Sequence, residues 1–173
     1  MALGLFVLRV VVGGLFIGHG AQKLFGFFGG HGLEGTGAHF DALGFRPGRM
    51  MGLAAGLAEL IGGALFALGL VTPLAAVLLI AVMTTAIGSV HWRGGLWATN
   101  GGFEYNLVLV AVAFAVTSIG AGNWSLDHAL GLDVTGPEWA LVALVVGALV
   151  GVAGISARRP RTHKSADPEP ARA

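Results

Sequence analysis

The chain has 173 residues, of which 55% are hydrophobic and only 11% are charged, and its formal net charge is +1. A soluble domain carries about 25% charged residues, so most of this surface is not adapted to water. The small net charge gives no basis for nucleic-acid binding, and the absence of cysteine excludes disulfides, cysteine-ligated iron–sulfur clusters and thiol catalysis.

Five hydrophobic segments dominate the sequence. A helix that crosses a bilayer needs about 20 predominantly apolar residues. The segments that meet this requirement lie at residues 3–24, 50–70, 73–91, 103–120 and 138–156. They predict an all-α fold, a polytopic transmembrane helical bundle.

The segments divide the chain into a core, an additional helix and a tail. Residues 1–131 are predicted to form a four-helix membrane core, and residues 132–156 an additional fifth transmembrane helix. Residues 157–173 are basic, contain prolines and lack apolar periodicity, which predicts a disordered tail. Small residues four positions apart are candidates for close helix contacts. Such pairs are Gly14/Gly18, Gly52/Gly56 and Gly147/Gly151.

The first segment contains a charged residue, Arg9, well inside its apolar run. An arginine at that depth costs about 2.5–3.5 kcal/mol on insertion scales, so it is expected to face a partner rather than lipid. The predicted partner is Glu59, the only acid deep in a hydrophobic segment. Two interpretations follow. The pair only locks two helices together, or Glu59 exchanges protons with a bound quinone headgroup or along a relay.

The loop between the first two spans, residues 25–49, is too short and too rich in glycine to form a domain. Its middle, from Thr36 to Leu43, is predicted to form one or two amphipathic turns, with Phe40 and Leu43 facing lipid or the bundle. Between the second and third spans, Thr72 is predicted to cap the next helix and Pro73 to occupy its first position.

Basic residues predict the orientation of the bundle. With five spans, the tail lies on the same side as the loops 25–49 and 92–102. Every lysine and arginine except Arg9 falls on that side, whereas segment 121–137 has none. The positive-inside rule therefore predicts a multi-pass protein of the bacterial plasma membrane, with the N-terminus outside and the C-terminus cytoplasmic.

A second polar cluster is predicted where three helix ends meet on the basic side. Its members are His19, Gln22, Lys23, His91, Trp92, Arg93, Glu104, Tyr105 and Asn106. Glu104, at a helix N-terminus, is expected to pair with Lys23 or Arg93. The alternative is an ordinary interfacial collar of hydrogen-bonded side chains.

Metal and haem chemistry are disfavoured by spacing. His19 and His91 raise the idea of axial ligation of a haem b, but neither lies in a haem-binding motif. His31, Glu34 and His39 match no standard ligand pattern, so no metal site is predicted.

Four stretches of the sequence resemble the DoxX family of small membrane proteins. They are LRVVVGGLFIGHGAQKLFGFFGG, GLAAGLAELIGGALFALGLVTPLAA, FEYNLVLVAVAF and GAGNWSLDHALG. The resemblance covers residues 3 to about 131 and implies a four-helix core, from which the fifth helix and the tail depart. It also implies a set of positions to test, namely Arg9, His19, Lys23, Glu59, Glu104 and Asn106.

The resemblance further implies a redox role. Members of the family are similar to the DoxD subunit of thiosulfate:quinone oxidoreductase, and one member is associated with superoxide dismutase and a thiosulfate sulfurtransferase. The prediction is a membrane subunit of a quinone-linked oxidoreductase or redox-stress complex. Glu59 and His19 would handle protons, and the proposed quinone or substrate contacts are Arg9, Lys23, His91, Glu104 and Asn106. The alternatives are a non-catalytic scaffold that recruits soluble redox enzymes, and a small-solute or proton transporter.

Overall fold

The computed structural model describes residues 2–159, and over that range every regular element is a helix. The predicted all-α class is therefore confirmed. The helices are α1 (Ala2–Phe25), α2 (Gly32–Ala42), α3 (Gly48–Leu68), α4 (Thr72–Ala86), α5 (Glu104–Ile119), α6 (Leu126–Ala129) and α7 (Pro137–Ser156). Most of the predicted tail, residues 160–173, lies outside the described residues.

Within residues 2–159, four helical stretches are long and apolar enough to cross a membrane, and they are Ala2–Phe25, Gly48–Leu68, Thr72–Gly94 and Pro137–Ser156. The third of them extends α4 through a π-helical segment, Ile87–His91, and a final tight turn. The remaining predicted span is α5, which is apolar but only 16 residues long. Its length is about 24 Å at the helical rise of ~1.5 Å per residue.

Successive long helices alternate in direction, so the bundle has two distinct ends. We call the end where α1 begins the N-terminal end and the end where α7 finishes the C-terminal end. Helices α1, α4 and α7 run towards the C-terminal end, and α3 and α5 run back. The four tryptophans of the sequence separate accordingly, with Trp92 and Trp97 at the C-terminal end and Trp124 and Trp139 at the other.

Glycines bring α1 and α3 into direct backbone contact. Gly13 lies against Gly63, and Gly20 lies against Gly56, so the two helices pack antiparallel with almost no side chain between them. Of the predicted glycine pairs, Gly52 and Gly56 do make close contacts, but Gly14 and Gly18 face open space. A glycine spacing does not reveal which face of the helix meets a neighbour, because it repeats on every side of a glycine-rich helix.

Replacing Gly63 by alanine is expected to destabilise the bundle. A Cβ atom there would lie 2.7 Å from the carbonyl oxygen of Gly13 and 2.9 Å from the backbone nitrogen of Ile17. Backbone cannot move aside as a side chain can, so overpacking should lower stability by about 1–3 kcal/mol. Thermal unfolding in detergent, followed by circular dichroism, would measure the loss. Gly14→Ala is the matched control because its Cβ would meet nothing; equal melting temperatures for the two variants would contradict the packing argument.

The fifth spanning helix, α7, is an integral part of the bundle. Its glycines Gly147 and Gly151 lie directly against α4, at Ile80 and Thr84 respectively. The contact points advance in step, four residues on each helix, so α7 and α4 run parallel. Two alanines of α7, Ala140 and Ala143, are also fully buried. The small residues of α7 therefore allow it to pack closely against α4.

The beginning of the predicted disordered tail is fixed in place. Arg158 donates through Nε to the carbonyl oxygen of Leu43 at 2.8 Å and lies 5.4 Å from the ring centre of Phe45. The backbone nitrogen of Arg159 donates to the oxygen of Gly44. The prediction of disorder is therefore wrong for residues 157–159, because unpaired loop carbonyls accept these N–H groups.

The loop between α1 and α3 is more ordered than predicted. Instead of one or two turns over 36–43 it forms α2, Gly32–Ala42, which packs across α1 and α3. Thr36 donates its hydroxyl to the carbonyl oxygen of Lys23 at 3.1 Å, and Phe40 packs on Phe45. Helix α2 thereby covers the C-terminal end of α1, next to Lys23.

Candidate functional site

The acid of α3 pairs with Lys23, at the end of α1. Lys23 Nζ lies 2.8 Å from Glu59 Oε1 and 2.6 Å from Oε2. The Glu59 side chain is 4% exposed and that of Lys23 is 27% exposed. Within residues 2–159 this is the only contact between opposite side-chain charges. The predicted Arg9–Glu59 pair is therefore wrong.

The register of α1 against α3 explains why Glu59 pairs with Lys23 and not with Arg9. Because Gly13 faces Gly63 and Gly20 faces Gly56, Glu59 lies level with residue 17 of α1. At ~1.5 Å per residue, Lys23 is about 9 Å from that level and Arg9 about 12 Å. Side chains also lean towards the N-terminus of their own helix. In antiparallel helices this tilts Lys23 and Glu59 towards each other and tilts Arg9 away.

Arg9 instead occupies the N-terminal end of the bundle, where it is completely buried. Its Nη2 donates to the backbone oxygen of Trp124, while Nε and Nη1 have no hydrogen-bond partner within residues 2–159. Its guanidinium lies directly against Gly69, which leaves no room for a Cβ atom there. The carboxylate of Asp127 is close enough to attract Arg9 electrostatically.

Asp127 holds the turn between α3 and α4. Its carboxylate accepts hydrogen bonds from Val71 N at 2.7 Å, Thr72 N at 3.1 Å and the Thr72 hydroxyl at 2.6 Å. The predicted Thr72 cap is thus replaced by the carboxylate of Asp127 in α6, which accepts from N–H groups at the start of α4 and suits the positive end of its dipole. Asp127 therefore stabilises this end of the bundle.

A cavity of about 410 Å³ lies between α1, α4 and α5 in the half of the bundle nearer the C-terminal end. Its polar lining groups are His19, Lys23, Glu59, His91, Tyr105 and Asn106. Phe16, Met83 and Leu109 contribute an apolar wall. The cavity exists because α1 packs chiefly on α3 and α5 packs on α4, which leaves a gap between α1 and α5. We call it the polar cavity.

The hydrogen bonds of the two histidines define their tautomers. His91 Nδ1 lies 2.9 Å from the carbonyl oxygen of Gly101, which can only accept, so Nδ1 carries a proton. His19 Nδ1 lies 3.1 Å from Gln22 Oε1, and the amide of Gln22 is oriented by its own donation to Phe28 O. When either ring is neutral, Nε2 keeps a lone pair that no donor within residues 2–159 occupies. Each histidine therefore offers the cavity a hydrogen-bond acceptor.

Asn106 and Lys23 offer donors. Among residues 2–159, the one partner of the Asn106 amide nitrogen is the thioether of Met83, at 3.3 Å, and a thioether is a weak acceptor. An ammonium carries three N–H groups, of which Lys23 directs two at the oxygens of Glu59. The polar cavity thus combines available donors with available acceptors inside apolar walls.

His91 is positioned by an irregular stretch of helix. It ends the π-helical segment Ile87–His91, and such segments are rare and occur frequently at functional sites. The loop that follows returns Gly101 and Gly102 to the rim of the cavity. There the backbone nitrogen of Phe103 donates to Gly95 O, and Trp92 stacks on the Phe103 ring. The loop is closed by hydrogen bonds along its length.

Two predicted site residues lie outside the polar cavity. Arg9 is at the other end of the bundle, as described. Glu104 pairs with neither Lys23 nor Arg93; its Oε2 accepts a hydrogen bond from Ala98 N at 3.0 Å and so stabilises the loop. The other predicted residues, His19, Lys23, Glu59, His91 and Asn106, all line the cavity. Within residues 2–159, no three histidine or acidic side chains come together as a metal site.

Two residues with a clear place in the structure were not among the predicted site residues. Tyr105 was placed in the cluster by sequence but not in the proposed site, and it lines the polar cavity beside Asn106. Asp127 lies in the GNWSLDHALG stretch, whose residue types gave no indication of the turn that it caps. The contact joins residues 55 and 56 positions apart, which no local pattern encodes.

A model described as DoxX matches residues 4–92, which is half of the chain. The chain belongs to the DoxX family. The match ends at the turn after His91, so it includes α1 to α4 and the Lys23–Glu59 pair. With four helices of membrane-crossing length, this DoxX chain is a multi-pass membrane protein.

A relative supports the same family. Over 115 residues the DoxX chain is 34% identical to "Putative oxidoreductase CatD" from Bacillus subtilis (strain 168), covering 66% of this chain and 79% of the relative. No solved structure gives a significant match.

Proposed function

We propose that this DoxX protein is the membrane subunit of a quinone-linked oxidoreductase or redox-stress complex, with the polar cavity as its quinone site. The observation that carries the proposal is the Lys23–Glu59 ion pair at the wall of a cavity with apolar sides and unused hydrogen-bonding groups. The relative's name, an oxidoreductase, points to the same class of reaction.

The cavity's groups suit both oxidation states of a quinone. A quinone offers two carbonyl oxygens, which accept hydrogen bonds, and Lys23 and Asn106 have N–H groups to donate. A quinol offers two hydroxyls, which donate, and His19 and His91 each have a free Nε2. Reduction of a quinone takes up two electrons and two protons. The electrons would come from a partner redox enzyme, and Glu59 with His19 would exchange the protons.

A lone structural ion pair needs no cavity. The scaffold alternative is served by a closed, dry contact between two helices, whereas here Lys23 and Glu59 both face the polar cavity. We propose the bacterial plasma membrane as the location, with the C-terminal end of the bundle cytoplasmic. This orientation rests on the basic residues Arg46, Arg49 and Arg93, all at that end. Soluble partners of the superoxide dismutase or sulfurtransferase type would then dock there.

Substitutions in the cavity wall test the quinone site. Asn106→Leu and His91→Leu each remove a polar group that faces the cavity, so quinone affinity in nanodiscs should fall by about 5- to 150-fold, the effect of ~1–3 kcal/mol for a lost buried hydrogen bond. Glu104→Gln is the matched control, because this nearby residue lies outside the cavity and the amide oxygen still accepts from Ala98. Failure of the wild type to bind quinone, or equal losses in all three variants, would refute the proposed site.

A further inference from the structure

A second cavity, of about 330 Å³, lies on the other side of the Lys23–Glu59 pair, between α2, α3, α4 and α7. Small and aliphatic residues form most of its wall, including Ala54, Ala55, Val82 and Val150. Helix α7 closes one side, at Gly154. We call it the apolar cavity, and nothing in the family assignment describes it.

The hydroxyls of the apolar cavity have no protons left to donate. Thr85 donates its hydroxyl to Ala81 O at 2.9 Å, and Ser89 donates to Thr85 O, each within α4 or its continuation. Apart from the Lys23–Glu59 pair, His39 is the remaining titratable group in the lining. A ligand that fills this space must therefore be hydrocarbon over most of its length, because a polar group would lose its water without gaining a partner.

The two cavities share a wall. Three residues line both of them, namely Lys23, Glu59 and Ala86. Two of the three form the ion pair, and the third is a small residue at the end of α4, directly before the π-helical segment. Ala86 has the smallest side chain of the three, and it lies beside the pair of charged residues that line both cavities within residues 2–159.

We propose that the apolar cavity binds the hydrocarbon tail of the same ligand whose headgroup occupies the polar cavity, with the chain passing beside Ala86. The inference rests on the proposed quinone site and extends it to the isoprenoid chain. The headgroup meets the donors and acceptors on one side of the ion pair, and the chain replaces empty space with apolar contact on the other. Burial of each methylene group of the chain then adds affinity.

Quinones that share a headgroup and differ in chain length test the inference. Ala55→Leu adds side-chain volume to the apolar cavity, one turn from Glu59, without touching the polar cavity. For a long-chain quinone, we expect its affinity to be about tenfold lower than wild type, the effect of excluding roughly two methylene groups. For a quinone without a chain, affinity should change less than about twofold on the same reasoning.

A matched control removes the effect of partitioning, since longer chains also dissolve better in the bilayer. Ala111→Leu makes the same change on the exposed face of α5, away from both cavities. At each chain length, the quinone affinity of Ala55→Leu divided by that of Ala111→Leu isolates the effect of the apolar cavity. Ala54→Leu, at an exposed position that also lines the cavity, serves if Ala55→Leu does not fold.

The outcomes separate the two proposals. A ratio that falls with chain length supports the tail site. A ratio that does not depend on chain length, with the chainless quinone still bound by wild type, overturns the tail site and leaves the headgroup site intact. Absence of binding of any quinone to wild type overturns both.

Discussion

Replacing Glu59 by glutamine is expected to abolish partner-dependent quinone turnover while leaving the protein folded. Glutamine keeps the size of the side chain but removes the charge and the exchangeable proton. General acid–base groups typically contribute about 10²- to 10⁴-fold to a rate, so turnover should fall by that order. The protein survives because Lys23, at 27% exposed, can carry its charge to the interface on its flexible stem. Steady-state turnover and thermal unfolding of the purified complex measure the two effects.

Removal of Lys23 is expected to affect stability more than removal of the Glu59 charge does. In Lys23→Met the carboxylate of Glu59, at 4% exposed, is left without its partner. Breaking a buried pair from one side costs about 3–5 kcal/mol, so this variant should unfold at a clearly lower temperature than Glu59→Gln. The double variant Lys23→Met/Glu59→Gln removes both charges and should recover most of that stability but none of the turnover.

These comparisons distinguish chemistry from assembly. If the double variant recovers stability and also retains turnover, the ion pair serves the fold alone and the proton-exchange role of Glu59 is wrong. If Glu59→Gln retains full turnover, the same conclusion follows directly. Equal stability losses in the two single variants would contradict the difference in burial between the two side chains.

The second large effect is expected at the opposite end of the bundle, in Asp127→Ala. This change removes the acceptor of three hydrogen bonds at the start of α4 and a negative charge that attracts the buried Arg9. Buried N–H groups and a buried cation are then left uncompensated, at a cost of about 3–5 kcal/mol. Chemical or thermal unfolding in detergent measures the loss.

Asp133→Ala is the matched control for this prediction. Asp133 follows shortly after α6, is exposed and makes no side-chain hydrogen bond within residues 2–159, so its removal should change stability by less than about 0.5 kcal/mol. Chainless quinone should bind to Asp127→Ala protein as it binds to wild type, because Asp127 is not part of the polar cavity. A loss of quinone affinity at full stability would add Asp127 to the functional site and return Arg9 to it.

The sequence alone determined the class of the protein and most of the cavity's polar residues. Hydrophobic length and low charge decide that the helices cross a membrane, because the bilayer imposes that requirement on each segment separately. The helix-end positions of His19, Lys23, His91 and Asn106 follow from where each apolar run stops. Alternating helix directions then bring those ends together, which needs no knowledge of side-chain contacts.

Only the tertiary structure decided which charges pair and what they surround. The contact of Gly13 with Gly63 sets the register of α1 against α3. Because of that register and the tilt of the side chains, Glu59 pairs with Lys23. Arg9 instead donates to the backbone of Trp124 and is attracted by Asp127. A glycine spacing repeats on several faces of a helix, so the sequence could not select the face in contact. The two cavities likewise arise where helices fail to meet, and a gap between distant segments has no signature in the order of residues.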